Sequence, residues 1–465
     1  MFKQTRSKNI TSGNLFLGIL QFAIPLYISS LVQNLFTAAD TAIAGNFADG
    51  LAVAAIGAGN PVINLLIGCF VSFATGAGMI VARAVGSKDE SCIKESVDTA
   101  MVFSVVLGVA LTVAALIFST PVLRIMKCPE ECFHGAVLYM NIYMLGTPAL
   151  MVYNFASAII RAEGDSTRPL VYIMISGAVN VVTNLLLCLV LANKVAAVAI
   201  ATVLSQTISA ALAVNRLMTK TDGPCKFSLK SLTFRGKVLG EVFRYGFPLS
   251  VAAAIYPIAN LQIQPAINSY GAANLAGVTA ANTIDTVTNA LQVSFNSTCV
   301  TFMSQNIGAH NRKRVEKTIV LCGLCAIISG LVIGLLTAHV FSEQLLGIFL
   351  PDYPEAIWYG QKKMIYTTAF YWLAAIVGWL GSAVQAFGYP TLSTINNLVS
   401  VLGFRIIWMN FIYCKAPSVD LLYVCYTISW ALTGLINVGL FIYAYRKYRQ
   451  KERLYSQGHQ ISASF

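Results

Sequence analysis

Charge is what this chain has least of. Only 11% of its 465 residues are Asp, Glu, Lys or Arg, against 57% hydrophobic, roughly half the charged fraction of an ordinary soluble domain. That balance excludes a soluble globular fold and implies a membrane protein. Histidine is nearly absent. His134, His310, His339 and His459 are the four, and none stands in an HExxH motif or a Ser/His/Asp order, so an enzyme is not expected. No GxxxxGK[ST] phosphate loop occurs, which argues against an ATP-driven pump and leaves an ion gradient as the energy source. One charge moved through 100 mV yields about 2.3 kcal/mol. Acids are fewer than bases, 19 against 31, for a net charge of +12. The bases are dispersed between apolar runs rather than gathered in a strip, so nucleic acid is not an expected partner. The eleven cysteines do not make a disulfide framework. Most, such as Cys69, Cys188, Cys299 and Cys322, lie inside apolar runs and read as small buried hydrophobes. Cys128, Cys132 and His134 in KCPEECFH have metal-like spacing but no fourth ligand. The basic flank MFKQTRSKN resembles a signal-peptide start. The apolar run behind it is too long, contains Pro25 and has no small-residue cleavage site, so it is expected to be a retained first helix.

What the chain does have is apolar runs of membrane length. Breaks at Gly, Pro and charge divide it into twelve spans near 14–45, 51–82, 95–119, 134–160, 169–192, 195–218, 241–269, 275–304, 317–341, 355–385, 391–414 and 419–445, each near the roughly 20 residues a bilayer requires. With a cytoplasmic amino terminus, 24 of the 31 Lys and Arg fall on the inner side. Arg124, Lys127, Lys194, Lys362, Lys363 and Lys415 fall outside, and Arg405 lies within a span with no legible partner. Both termini are therefore expected in the cytoplasm. The tail YRKYRQKER is expected to lie against anionic lipid.

The chain also repeats itself. FAIPLYIS around Pro25 recurs as YGFPLSVA around Pro248, 223 positions later. NFADGLAVAA then keeps step with NSYGAANLAGVTAA, ARAVGSKDE with SQNIGAHNR, and RAEGDSTRP with QAFGYP. Six spans per half make a parallel repeat: an amino-terminal lobe at 1–218, a linker at 219–240, a carboxyl-terminal lobe at 241–447 and a tail at 448–465. Duplications of this kind place a substrate site between halves that rock against each other.

Polar residues inside the spans mark the candidate sites. Asp40 lies near the far end of the first span, with Thr37 and Gln33 three and seven residues earlier on the same helical stripe. A carboxylate near the bilayer centre costs roughly 2.5 to 3.5 kcal/mol, so it faces protein or a wet cavity. Asn180 and Asn184 share a face of the fifth span, where they either coordinate an ion or join helices by hydrogen bonds. On the eighth span Asn282, Asp285, Asn289, Gln292 and Asn296 recur at steps of three and four. On the seventh, Tyr256, Asn260, Gln264 and Asn268 do the same. Together they read as the wall of a water-filled cavity in which Asp285 supplies negative charge.

The phrases AADTAIAGNFADGLAVAAIG, IIRAEGDSTRPL, AVNVVTNLLL and MSQNIGAHNRKRV, in this order on two six-helix halves, resemble the multidrug and toxic compound extrusion (MATE) family. The likeness covers nearly the whole chain. It implies an all-α integral membrane protein with twelve transmembrane helices in two parallel six-helix repeats, a two-lobe bundle around a central cavity. It further implies export of organic cations or amphipathic drugs by alternating access, driven by inward H⁺ or Na⁺, with no cofactor. Under the resemblance Asp40 matches the first-helix aspartate, Asn180 the fifth-helix asparagine and Thr202 a sixth-helix hydroxyl near the ion site. Two departures stand out. Asn184 occupies a place where many members have a second acid, and the seventh helix lacks the acid some branches carry there. The expected protein is a monomer of the cell inner (plasma) membrane whose partners are small drugs and lipids. A lipid-linked precursor flippase of related architecture is the first alternative and a membrane-embedded enzyme the second.

Overall fold

A computed structural model describes residues 10–47, 50–219 and 225–456. The basic amino-terminal flank, the start of the linker and the end of the tail lie outside these residues. The described residues are helical: α1 (Leu15–Phe47), α2 (Gly50–Ser87), α3 (Glu90–Ile125), α4 (Glu130–Leu145), α5 (Thr147–Ala162), α6 (Thr167–Val190), α7 (Lys194–Thr219), α8 (Gly236–Ser269), α9 (Gly271–Gly308), α10 (Arg312–Leu335), α11 (Ser342–Phe349), α12 (Pro354–Tyr366), α13 (Tyr371–Ala386), α14 (Pro390–Asn397), α15 (Phe404–Ile407) and α16 (Val419–Ser456). Ten stretches among the described residues are long and apolar enough to cross a membrane, or eleven when α4 and α5, bent by 44° at Gly146, count as one. The remaining expected span is α9, whose 38 residues carry the polar stripe. A window average of hydropathy cannot recognise a helix that is apolar on one side only.

The bend between α4 and α5 is chemically satisfied. At the α4–α5 bend the hydroxyl of Thr112 donates to the Met144 carbonyl at 2.7 Å, and that of Thr147 donates to the same oxygen at 2.8 Å. Carbonyls freed inside a bilayer need such internal donors. The duplicated phrases form duplicated turns. Lys88 and His310, 222 positions apart, both adopt positive φ (58° and 51°), and so do Gly164 and Gly388, 224 apart (95° and 102°). Asp89 then caps α3 by accepting from the Ser91 and Cys92 amides, and Asn311 caps α10 by accepting from Arg314. The two halves thus repeat in backbone conformation as well as in sequence.

By compactness the chain divides into one unit from Ile24 to Ser250 and another from Val251 onward that includes Thr11–Ala23. The changeover falls just before Pro25 in α1 and just after Pro248 in α8, the duplicated prolines. Within the first unit, the described part of the linker is fastened to α3, where Thr233 donates its amide to Asp98 at 3.0 Å and Arg235 pairs with Glu95 at 2.9 Å.

Candidate functional site

In the amino-terminal unit the site begins with a glycine. A Cβ on Gly177 of α6 would sit 1.8 Å from the ring of Phe36 on α1, so the absence of a side chain here makes room for that ring. Phe36 lies one turn before Asp40, and Gly177 lies two turns before Asn184. The close approach therefore sets the two polar side chains opposite each other. Asn184, fully buried, donates its amide to Asp40 Oδ1 at 2.9 Å. Its own Oδ1 accepts from the Cys188 thiol at 3.4 Å. Both polar ends of Asn184 are thus engaged, and it presents a donor, not an oxygen, to the carboxylate. Asn180, one turn earlier, is 4% exposed and its Oδ1 has no hydrogen-bond partner. Two of the other residues expected around the ion bond to their own helices. Thr202 donates to Val198 in its own helix at 3.0 Å, and Thr37 donates to the Gln33 carbonyl at 3.0 Å with both residues exposed. Beside the pair lies an apolar cluster that includes Ile63, Tyr139, Met140, Cys188 and Val195.

The carboxyl-terminal unit contains a cavity of about 560 Å³, within the range typical of drug-sized ligand sites, and Tyr256, Asn260, Gln264, Asn282, Asp285, Asn289 and Gln292 all line it. On the far side of this space α9 is packed closely against α12 and α13 at glycines. A Cβ on Gly277 would meet the Ala356 carbonyl of α12 at 2.2 Å, and one on Gly378 of α13 would meet Asn296 at 2.2 Å. Two turns beyond Gly277 stands Asp285, and one turn beyond Gly360, which meets it from α12, stands Lys363.

The chemistry of Asp285 differs from the expectation. Lys363 Nζ lies 2.7 Å from Asp285 Oδ2, and Thr368 donates its hydroxyl to Oδ1 at 2.6 Å. The acid is therefore neutralised by a base within the protein and supplies no free negative charge to the cavity. Lys363 is not an external flanking base either. It is 3% exposed and lies inside α12. A second base reaches the same cavity: Arg405, 1% exposed, donates from Nη1 to Asn260 Oδ1 at 2.8 Å and stacks its guanidinium 4.2 Å from the Tyr426 ring centroid. Sequence spacing finds Arg405 as an isolated intramembrane base but cannot supply partners 145 and 21 residues distant. Nor can it separate Lys363 from a positive residue at a membrane edge. Cys128 and Cys132 bring their sulfurs within 3.7 Å, and no cluster of three or more His, Cys, Asp or Glu that could hold a metal occurs among the described residues.

Known proteins of similar sequence and structure fit this architecture. The chain is 25% identical over 92% of its length, and 93% of the other's, to the Probable multidrug resistance protein YoeA of Bacillus subtilis (strain 168). It is 24% identical over 85% of its length, and 88% of the other's, to the Probable multidrug resistance protein YpnP of the same strain. Among solved structures, a MATE transporter in complex with MaL6 superposes with a TM-score of 0.87 at 18% identity, covering 97% of this chain and 100% of that one. A MOP-superfamily transporter from Pyrococcus furiosus, reported with a binding pocket of reverse polarity, superposes at 0.83 with 20% identity, covering 97% and 99%. These superpositions give the fold: a multi-pass helical membrane protein, with two repeats of the MATE type. The MatE family model matches residues 25–186 and again 248–410, one match on each half of the duplication. Matched over most of its length and in both repeats, the chain belongs to the MatE family of multidrug efflux transporters and is not an enzyme.

Proposed function

We propose that this protein is a secondary antiporter that exports small amphipathic drugs across the cell inner (plasma) membrane in exchange for protons, by alternating access of its two six-helix halves. The observation that carries the proton assignment is the hydrogen bond from Asn184 to Asp40. Sodium needs several oxygen ligands, whereas Asn184 turns an amide donor toward Asp40 and, of the other residues expected around the ion, Asn180 alone has a side-chain oxygen that is buried without a hydrogen-bond partner among the described residues. A proton needs only the carboxylate. With Asp40 ionised, the Asn184 donor holds it. With Asp40 protonated, the charge that ties α1 to α6 is gone and the outer part of α1 can move. Pro25, which removes a backbone donor within α1, supplies a place for the helix to bend. Ion and drug then favour opposite access states through their differential affinities. The substrate class follows the names of the multidrug relatives. Organic cations, which an unpaired Asp285 would favour, have no free acid at that position.

Two measurements test this reading. In proteoliposomes loaded with a fluorescent drug, a pH gradient imposed alone is expected to drive transport and a Na⁺ gradient imposed alone to drive none. A strict Na⁺ requirement would overturn the proton assignment. Both termini are proposed to be cytoplasmic and the loop at Cys128 to be outside. An impermeant maleimide should then label Cys128 in intact cells expressing a variant with no other cysteine. Labelling only after lysis would reverse the topology.

A further inference from the structure

We infer that the cavity of the carboxyl-terminal unit is an anion subsite: it binds the carboxylate or sulfonate of a small aromatic amphiphile through the guanidinium of Arg405. The inference deepens the reading of the chain as a drug exporter and rests on it for the cavity's purpose.

Charge is the first ground. The ionisable residues lining the cavity, apart from tyrosines, are Asp285, Lys363 and Arg405. Lys363 and Asp285 cancel each other through their 2.7 Å contact. Arg405 is in no ion pair among the described residues, so its charge is the one left over. A guanidinium away from water and without a counter-charge is unfavourable unless something in the cavity compensates it. Geometry is the second ground. Asn260 holds Nη1 and Tyr426 holds the flat face, which fixes the guanidinium in one orientation, while its Nε, buried, has no hydrogen-bond partner. A planar fork with an unused donor suits an oxyanion. The third ground is the backbone. Arg405 sits on the four-residue α15, and the helix is wound into π turns on both sides of it, at Leu398–Gly403 and Trp408–Ile412. Such widened turns are uncommon and recur at functional sites.

The rest of the cavity describes the rest of the ligand. Tyr371 and Trp430, with ring centroids 5.7 Å apart, present aromatic surface in the same cavity. The amide of Gln292, 3% exposed, has neither its nitrogen nor its oxygen hydrogen-bonded, leaving a donor and an acceptor for a polar group. A volume of about 560 Å³ suits one drug-sized molecule, and the occupant we assign is a soluble amphiphile rather than a membrane phospholipid.

The test is equilibrium binding to the full-length protein in phosphatidylcholine nanodiscs, with no gradient applied. It uses two probes with the same aromatic body: pyrenebutyrate and the corresponding pyrenebutyl-trimethylammonium. The wild type is expected to bind the carboxylate about tenfold or more tighter than the ammonium, as a charge-assisted hydrogen bond implies. Arg405→Gln should lose that preference, and Arg405→Lys, which keeps the charge but not the planar fork, should retain only part of it. Tighter binding of the ammonium by the wild type would overturn the proposal, as would an Arg405→Gln protein that folds and keeps full carboxylate affinity. Should that variant not fold, the wild-type preference and Arg405→Lys still decide. Displacement of the carboxylate probe by phosphatidylglycerol in the nanodisc would overturn the assignment to a soluble ligand. Because binding needs no gradient, a protein that binds the carboxylate but fails to couple protons breaks the transport reading alone. One that couples protons but prefers the ammonium breaks this inference alone.

Discussion

Asp40→Asn is expected to abolish uphill export while leaving the protein folded and able to bind drug. The substitution is isosteric, and Asn184 still has an oxygen to donate to in place of Asp40 Oδ1. What disappears is the titratable group. For one-to-one exchange, two pH units can sustain a drug gradient of about 100-fold, since each tenfold step in an equilibrium corresponds to about 1.4 kcal/mol. The variant should reach no more than equal concentrations on both sides, by passive exchange. Drug uptake into acid-loaded proteoliposomes measures this. Accumulation by the variant to the wild-type level would remove Asp40 from the mechanism.

The second large effect is on stability. Lys363→Met strands the Asp285 carboxylate in the carboxyl-terminal unit with only the Thr368 hydroxyl recorded on its side-chain oxygens. Breaking one side of a buried ion pair typically costs about 3 to 5 kcal/mol, because an uncompensated charge remains. A large drop in the thermal midpoint is expected in detergent. The double variant Lys363→Met, Asp285→Asn removes both charges and should recover most of the loss. If the double variant is no more stable than Lys363→Met alone, the pair does not hold α9 to α12 through charge.

The elements that carry function were legible to different depths. The spans follow from apolar runs because a bilayer fixes their length, and the duplication follows from phrases at a constant offset that form turns of the same positive φ. The polar stripe on α9 was legible from periodicity alone, since steps of three and four project one helix face, and the structure sets all five of its residues on one cavity. Bonds between helices were not legible. Asp285 reads as a free acid because Lys363, 78 residues away, lies in an apolar region next to Lys362 and resembles an interfacial anchor. The structure buries it instead against Asp285. The same holds for Arg405, whose partners Asn260 and Tyr426 come from two other helices. Gly177 gave no signal at all. Its close packing appears only where Phe36 crowds it, one turn before Asp40.

Proton movement itself tests the assignment of Asp40 most directly. Proteoliposomes holding a pH-sensitive dye, with no initial ion gradient, would receive a pulse of drug on one side. A proton antiporter must move protons against the drug, so the wild type is expected to shift the luminal pH in proportion to drug entry, with Na⁺ absent. Asp40→Asn is expected to admit the drug with no shift. An equal pH shift in the Asp40→Asn protein, or drug entry into wild-type vesicles with no proton movement until Na⁺ is added, would contradict the account.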